Sequence, residues 1–271
     1  MNQLQQALLE YYPAALEAFG DWTLSFCWEF VVEFPTPEQL AQAGTRRWQR
    51  FLHVHHLWRP GTVEHRMEIF GRAAGFQGSP GVVRAKAQQA VSLGKVLRTL
   101  EEQLKDYRRR IEELFRNHPD HDLFGSLPGA GEVLAPRLMA AVGTDLNRYG
   151  RELTVLQAYA GTAPISYQSG QIHKARMRWA CDKFLRSTVH LWAECFWKYS
   201  GWGAVYYRQK RREGKSHACV LRCLGQRLLK ILFRMILDHK PYDSDLHARN
   251  QQRHGSWVLS LLKNPAAKVC E

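Results

Sequence analysis

The stretch LGKVLRTLEEQLKDYRRRIEEL, Leu93 to Leu114, decides what kind of fold this chain can have. Its apolar residues Leu93, Leu97, Leu100, Leu104, Tyr107, Ile111 and Leu114 alternate by four and three positions. That spacing collects them into one stripe only on an α-helix, as an a/d seam of about three heptads, and Ala90 extends it by one position. The flanking Arg98, Glu101, Glu102, Lys105, Arg108, Arg109, Glu112 and Glu113 carry mixed charge, as a solvated coiled-coil surface does. The pattern predicts a coiled-coil helix over 84–118, intermolecular or folded back, closed by His118-Pro119. The competing reading is a long helix packed within its own chain.

Helical spacing continues on both sides, so the predicted fold class is all-α: a helical bundle, a long coiled-coil helix and a C-terminal helical domain containing a helix-hairpin-helix element. Residues 1–83 read as an N-terminal helical linker region. Leu4, Leu8, Tyr11 and Ala15 share one side of its first helices. Thr36-Pro37-Glu38-Gln39 is a helix start, with Thr36 as cap, Pro37 at the first helical position and Gln39 to close a capping box. That helix is expected to end at Gly44, with another from Thr45 to before Pro60 and a third, bearing Val63, Met67 and Phe70, reaching Gly71. Gly75 to Gly81 (GFQGSPG) reads as a break. Residues 119–242 form the expected C-terminal domain, and 243–271 a tail, polar at first, with a short apolar patch from Trp257 to Leu262.

Charge separates one segment from the rest. The chain of 271 residues carries a net +13 with a pI near 9.7. Between Gln171 and Met235 stand fifteen Lys or Arg against Asp182, Glu194 and Glu213, so that segment holds +12 of the total. A surplus of this size calls for a polyanionic partner, nucleic acid or an anionic membrane surface. No apolar run is long enough to cross a bilayer and no signal peptide is visible. The six cysteines show no metal or framework spacing. The expectation is therefore a soluble cytoplasmic protein with reduced thiols and no membrane partner.

Leu127-Pro128-Gly129-Ala130-Gly131 places two glycines around one small residue just before a helix. Backbone amides at such a helix start favour an anion, so Pro128, Gly129 and Gly131 are candidates to grip a phosphate; a tight helix–helix turn uses the same residues. Pro136 is expected to weaken or bend the start of the helix that follows. Ser169-Gly170 follows in a loop, directly upstream of Lys174, Arg176 and Arg178. A serine attacking a phosphodiester needs help with deprotonation and cations to stabilise the crowded phosphorus; a Ser beside Gly is also an ordinary turn. Arg208, Lys210, Arg211, Arg212 and Lys215 around Gly214 are the expected phosphate contacts. The aromatics interleaved with these cations suit either base stacking or a core, and Tyr206 or Tyr207 either a nucleophile or packing. His53, His55, His56 and His65 lack a carboxylate or Cys at ligand spacing, and Asp145, Asp182 and Glu194 are too scattered for a metal triad. No metal site or cofactor is predicted in this chain.

LPGAGEVLA, the D-x-x-R-Y element from Asp145 to Tyr149, LQAYAGTAP, QSG at Gln168 to Gly170, the Phe184-Leu185-Arg186 helix and the run from Leu228-Leu229-Lys230 to Tyr242 occur in one order. Together they resemble the C-terminal transposase domain of the family named after insertion sequences 110, 116 and 902. FPTPEQLAQAG and the heptad helix are similar to its linker and coiled coil. The resemblance implies a bridge-RNA-guided DNA transposase whose serine nucleophile maps to Ser169. It also implies an N-terminal resolvase-like nuclease domain with an acidic tetrad, the two halves forming a composite site. That tetrad is not in this sequence, so a truncated, split or domesticated protein is expected.

Together these readings lead to a bacterial, nucleoid-associated protein of DNA transposition that binds DNA and a structured bridge RNA. It self-associates as a homo-oligomer through the coiled coil. Magnesium is expected only with a separate acidic nuclease domain. Ser169 is the nucleophile; Gly170, Lys174, Arg176, Arg178 and Arg186 surround the scissile phosphate. Two rival readings are a non-catalytic helix-hairpin-helix module for branched nucleic acid, with Ser169 a turn residue, and a scaffold that uses its charge for RNA alone.

Overall fold

The computed structural model describes residues 1–73 and 79–263. Residues 75–78 of the expected break, and Cys270, lie outside them. The chain divides into two compact units, Met1–Arg109 and Arg110–Glu271.

In the first unit, α1 (Asn2–Tyr11), α2 (Pro13–Ala18), α3 (Ser25–Glu33), α4 (Pro37–Val54) and α5 (Pro60–Ala73) precede the start of α6 (Pro80–Arg116). The Thr36 hydroxyl accepts from the Gln39 amide at 3.2 Å and Pro37 opens α4, the start expected from sequence. Gly44, with φ +70°, breaks the helical path within α4 where two separate helices were read. The core is aromatic. Phe30, fully buried, has Phe19 at 4.8 Å, Phe70 stacked at 5.5 Å and Trp48 edge-on at 5.9 Å between ring centroids. Offset and edge-on pairs of this kind add to the area that they bury.

Helix α6 runs unbroken for 37 residues, about 55 Å at 1.5 Å per residue. Its seam divides. Ala87 and Ala90 are buried in the first unit's core, with Leu93 and Leu97 packed against it. Beyond them Leu100, Leu104, Tyr107, Ile111 and Leu114 are all exposed, Leu114 by 74%. Half of the stripe is spent within the first unit and half has no apolar cover.

In the second unit, α7 (His121–Gly125) and α8 (Gly131–Val142) lead through a short 3-10 turn to α9 (Leu153–Tyr159). Then come β1 (Ile165–Ser169) and β2 (Ile172–Arg176), followed by α10 (Lys183–Tyr199), α11 (Gly201–Arg212) and α12 (His217–Asp238). The core lies between α10 and α12. Leu185, Val189, Trp192 and Ala193 from the first, and Leu224, Leu228, Leu229 and Leu232 from the second, are fully buried. Helix α8 continues through the buried Pro136 to Val142, although proline removes one helical hydrogen bond. The expected tail is part of this unit up to residue 263. Helices α13 (Ser244–Arg253) and α14 (Trp257–Lys263) follow α12; Trp257 stacks on Tyr206 at 5.6 Å and Val258 is fully buried. The fold is all-α with one addition, the β1–β2 hairpin, read from sequence as a loop.

Candidate functional site

The hairpin is antiparallel, pairing Ile165 with Arg176, Tyr167 with Lys174 and Ser169 with Ile172. Gly170 and Gln171 form its two-residue turn, and Gly170 has φ +55°. Only glycine takes that conformation freely, and a Gly-X pair is what the tight hairpin turn requires. Directly paired residues share a face, and side chains alternate along each strand. Ser169, Tyr167, Lys174 and Arg176 therefore lie on one face with Ile165 and Ile172, while Ser166, Gln168 and Ala175 belong to the other. The Arg176 guanidinium sits over the Tyr167 ring at 4.9 Å. Every residue of β1 is exposed, and the Ser169 hydroxyl has no hydrogen-bond partner among the described residues. The expected nucleophile stands in solvent on the same face as Lys174 and Arg176, and among the described residues no base is bonded to it.

Arg178 and Arg186 do different work. Arg178 Nε donates to the Ala163 carbonyl at 3.4 Å, joining the two legs of the hairpin. Arg186, from α10, donates to the Arg178 carbonyl and, like the Cys181 thiol, lies against Gly161. The base of the ribbon is four residues from Ser169, about 13 Å at 3.3 Å per residue. These two arginines hold the hairpin's root; Arg176, paired with Ile165, starts from that end of the ribbon, and Lys174, opposite Tyr167, lies nearer the turn. Asp182 caps α10 through the Leu185 amide at 2.6 Å and donates its own amide to the Tyr159 carbonyl at 2.9 Å, fixing where the returning leg ends.

The Pro128–Gly131 turn is built against α10. The Pro128 carbonyl accepts from the Trp192 indole at 3.0 Å. Gly129 has φ +73°, and a Cβ there would stand 2.9 Å from the Phe196 amide nitrogen, so the glycine is required by conformation and by contact. Gly131, also at positive φ, faces open space.

Among the α11 cations, Arg208, Arg211 and Arg212 are exposed. Arg211 donates to the Lys215 carbonyl at 2.7 Å. Lys210 pairs with Glu213 at 2.7 Å and lies 5.5 Å from the Trp257 ring. Of the two neighbouring tyrosines, Tyr206 is buried, and that burial pushes its phenol pKa up. Among the described residues no three of His, Cys, Asp and Glu are placed to hold a metal ion. No helix of the described residues is long and apolar enough to cross a membrane.

The model of the IS116/IS110/IS902 transposase family matches residues 121–208, from α7 through the hairpin into α11. The chain carries the domain of that family. It is similar to three proteins of mobile elements. Over 247 residues it is 30% identical to the protein named as candidate transposase of the IS117 mini-circle in Streptomyces coelicolor, covering 89% of this chain and 59% of the relative. It is 31% identical to the 42 kDa protein of insertion element IS900 from Mycobacterium paratuberculosis, covering 77% and 52%. It is 28% identical to the 44.8 kDa protein of insertion element IS116 from Streptomyces clavuligerus, covering 89% and 60%. The chain thus spans no more than 60% of the length of these relatives.

The second unit also holds a cluster that the sequence did not disclose. The Tyr207 hydroxyl and His217 Nδ1 are 2.8 Å apart, and His217 Nε2 lies 3.3 Å from a Glu194 carboxylate oxygen. Burial pushes the Glu194 carboxyl up, but hydrogen bonds from Lys198 and Trp197 outweigh it and hold the pKa below the ordinary value. These residues come from three helices, 10 and 13 or more positions apart, and no spacing rule connects them.

Proposed function

We propose that this chain supplies the serine half of a DNA strand-transfer reaction. The observation that carries the reading is the shared hairpin face: an unpartnered Ser169 hydroxyl, with Lys174 and Arg176 on the same side. Ser169 Oγ forms a bond to phosphorus, the bond from phosphorus to a deoxyribose oxygen breaks, the serine proton passes to a carboxylate of an acidic partner domain, and the leaving oxygen takes a proton from water to become a hydroxyl. Lys174 and Arg176 stabilise the charge that builds on the phosphoryl oxygens. The hairpin's own side chains are cations and neutral groups, not a donor set for magnesium; carboxylates of the acidic partner domain would hold that metal. The names of the mobile-element relatives support transposition as the process.

The positive segment suits a DNA backbone and a structured guide RNA. The exposed seam from Leu100 to Leu114 suits self-association with a second copy, since a/d stripes of this kind bury themselves against another helix. The test is covalent trapping on labelled element-end and target DNA, with and without a separately supplied acidic nuclease domain and bridge RNA. A DNA-linked band that needs the acidic domain and is lost in Ser169→Ala is the expected result. The lack of a base beside Ser169 favours a second reading, a non-catalytic binding module. Salt-sensitive DNA binding with no adduct in any combination would establish it.

A further inference from the structure

Four aromatic rings around the hairpin are left in solvent, and each has a cation set against it. Tyr167 is 46% exposed with Arg176 at 4.9 Å, and Trp179 is 71% exposed with Lys183 at 5.9 Å. Tyr159 is 42% exposed with Arg148 at 5.9 Å, and Phe184 is 50% exposed with Arg137 at 4.9 Å. Trp179 and Phe184 flank the start of α10, and the Asp182 amide between them bonds to the Tyr159 carbonyl. Tyr167 stands on the ribbon that rises from this point.

Exposed aromatic surface is costly in water and marks a contact site when it recurs in one region. A cation near a ring is attracted to it, and it offers a phosphate the charge that the ring lacks. Rings paired with cations are the elements that bind unpaired nucleotides, by stacking bases and neutralising the backbone between them. A paired duplex cannot use them, because its bases are already stacked on one another. The hairpin adds a separate observation: a two-stranded ribbon with every β1 residue exposed has no core of its own, so a partner that covers it would stabilise it.

From these contacts we infer that Tyr159, Tyr167, Trp179 and Phe184 form a stacking platform for unpaired bases of the DNA strand held at Ser169. The inference deepens the proposed function and rests on it for the choice of DNA. The platform requires the duplex to be opened next to the scissile phosphate, and it takes the extruded strand.

The test uses the full chain and oligonucleotides carrying 2-aminopurine, whose fluorescence falls when it stacks. Three probes of one sequence are compared: a fully paired DNA duplex, a DNA duplex with a short unpaired bubble, and single-stranded RNA. The bubble is expected to bind at least tenfold more tightly than the paired duplex and to quench the probe. Trp179→Ala and Tyr167→Ala should each weaken bubble binding about tenfold, the order found for loss of one stacked base. Trp179→Phe and Tyr167→Phe retain a ring and should keep most of the affinity, which separates stacking from misfolding. Equal binding of bubble and duplex overturns the inference, as do alanine variants that bind the bubble normally. Quenching confined to the RNA probe overturns the assignment to DNA. Ser169→Ala keeps the rings, so quenching without any covalent adduct leaves the platform standing while the serine reading fails. An adduct without quenching does the reverse.

Discussion

Six residues separate the end of β2 from the start of α10, yet the two regions obey opposite rules. Along the inner sides of α10 and α12 the apolar residues are sealed, with Trp192, Val189, Leu224 and Leu228 fully buried. Along the hairpin Ile165, Tyr167 and Ile172 are each more than 40% exposed. The first region is finished within the chain, and its sequence is constrained by packing. The second is a surface whose apolar side chains stand largely in solvent, and its sequence is free to serve an outside contact. The distal half of α6 belongs with the second kind.

Substitutions can test that division, and the largest effect is expected in the sealed layer. Trp192→Ala removes a fully buried ring and its bond to Pro128, which should cost about 4 kcal/mol in urea unfolding. Ser169→Ala should stay within about 0.5 kcal/mol of wild type, as exposed positions do. A similar loss at both would dissolve the comparison. Glycines give a finer version. Gly129→Ala meets both positive φ and the α10 backbone and should destabilise by about 3 kcal/mol. Gly170→Ala meets positive φ in open space and should cost about 1 kcal/mol, read as a smaller drop in melting temperature.

Placing charge on the seam, as in Leu104→Glu combined with Ile111→Glu, should change unfolding free energy by no more than about 1 kcal/mol, the sum of two exposed substitutions. The same double variant should abolish self-association in sedimentation equilibrium; a stable dimer that survives it would place the contact elsewhere. The smallest effect concerns pH. Burial, with Arg222, Arg186 and His217 nearby, lowers the His190 pKa below its ordinary value. The unfolded chain then binds a proton that the folded one resists. Stability is held above about pH 6.5 and is lost as pH falls from there toward the lowered folded value. His190→Gln should flatten that part of the stability profile, and an unchanged slope would assign it to His247 or His55, whose pKa values burial also lowers.

Much of this was readable in advance, for a stated reason. Helices declare themselves through spacing, so the α6 seam, the Thr36 cap and α9, expected from Glu152 to Ala160 and found at Leu153–Tyr159, could be placed from residues alone. The hairpin could not be told from a loop. Five residues in each strand give too short an alternation, and no buried face sharpens it. The overlooked sign was Gly170 with one further residue between two short runs, ISYQS and IHKAR, which is the spacing of a tight two-residue turn. Nothing in the sequence linked Tyr207 to His217 and Glu194, because their meeting depends on how three helices pack. Nor did spacing tell Arg178 and Arg186 from Lys174: all three are basic, and only the ribbon's direction separates root from tip.

The two-residue turn at Gly170 and Gln171 makes the hairpin sensitive to parity. Inserting one codon between Ser166 and Ser169 leaves the serine opposite Ile172, because the turn sets the register, and exchanges odd for even upstream, so Ile165 and Ser166 trade sides of the ribbon. Inserting two codons restores their sides and moves them about 7 Å farther from the serine along the strand. A library of small insertions here would be sorted by divisibility before it was sorted by chemistry.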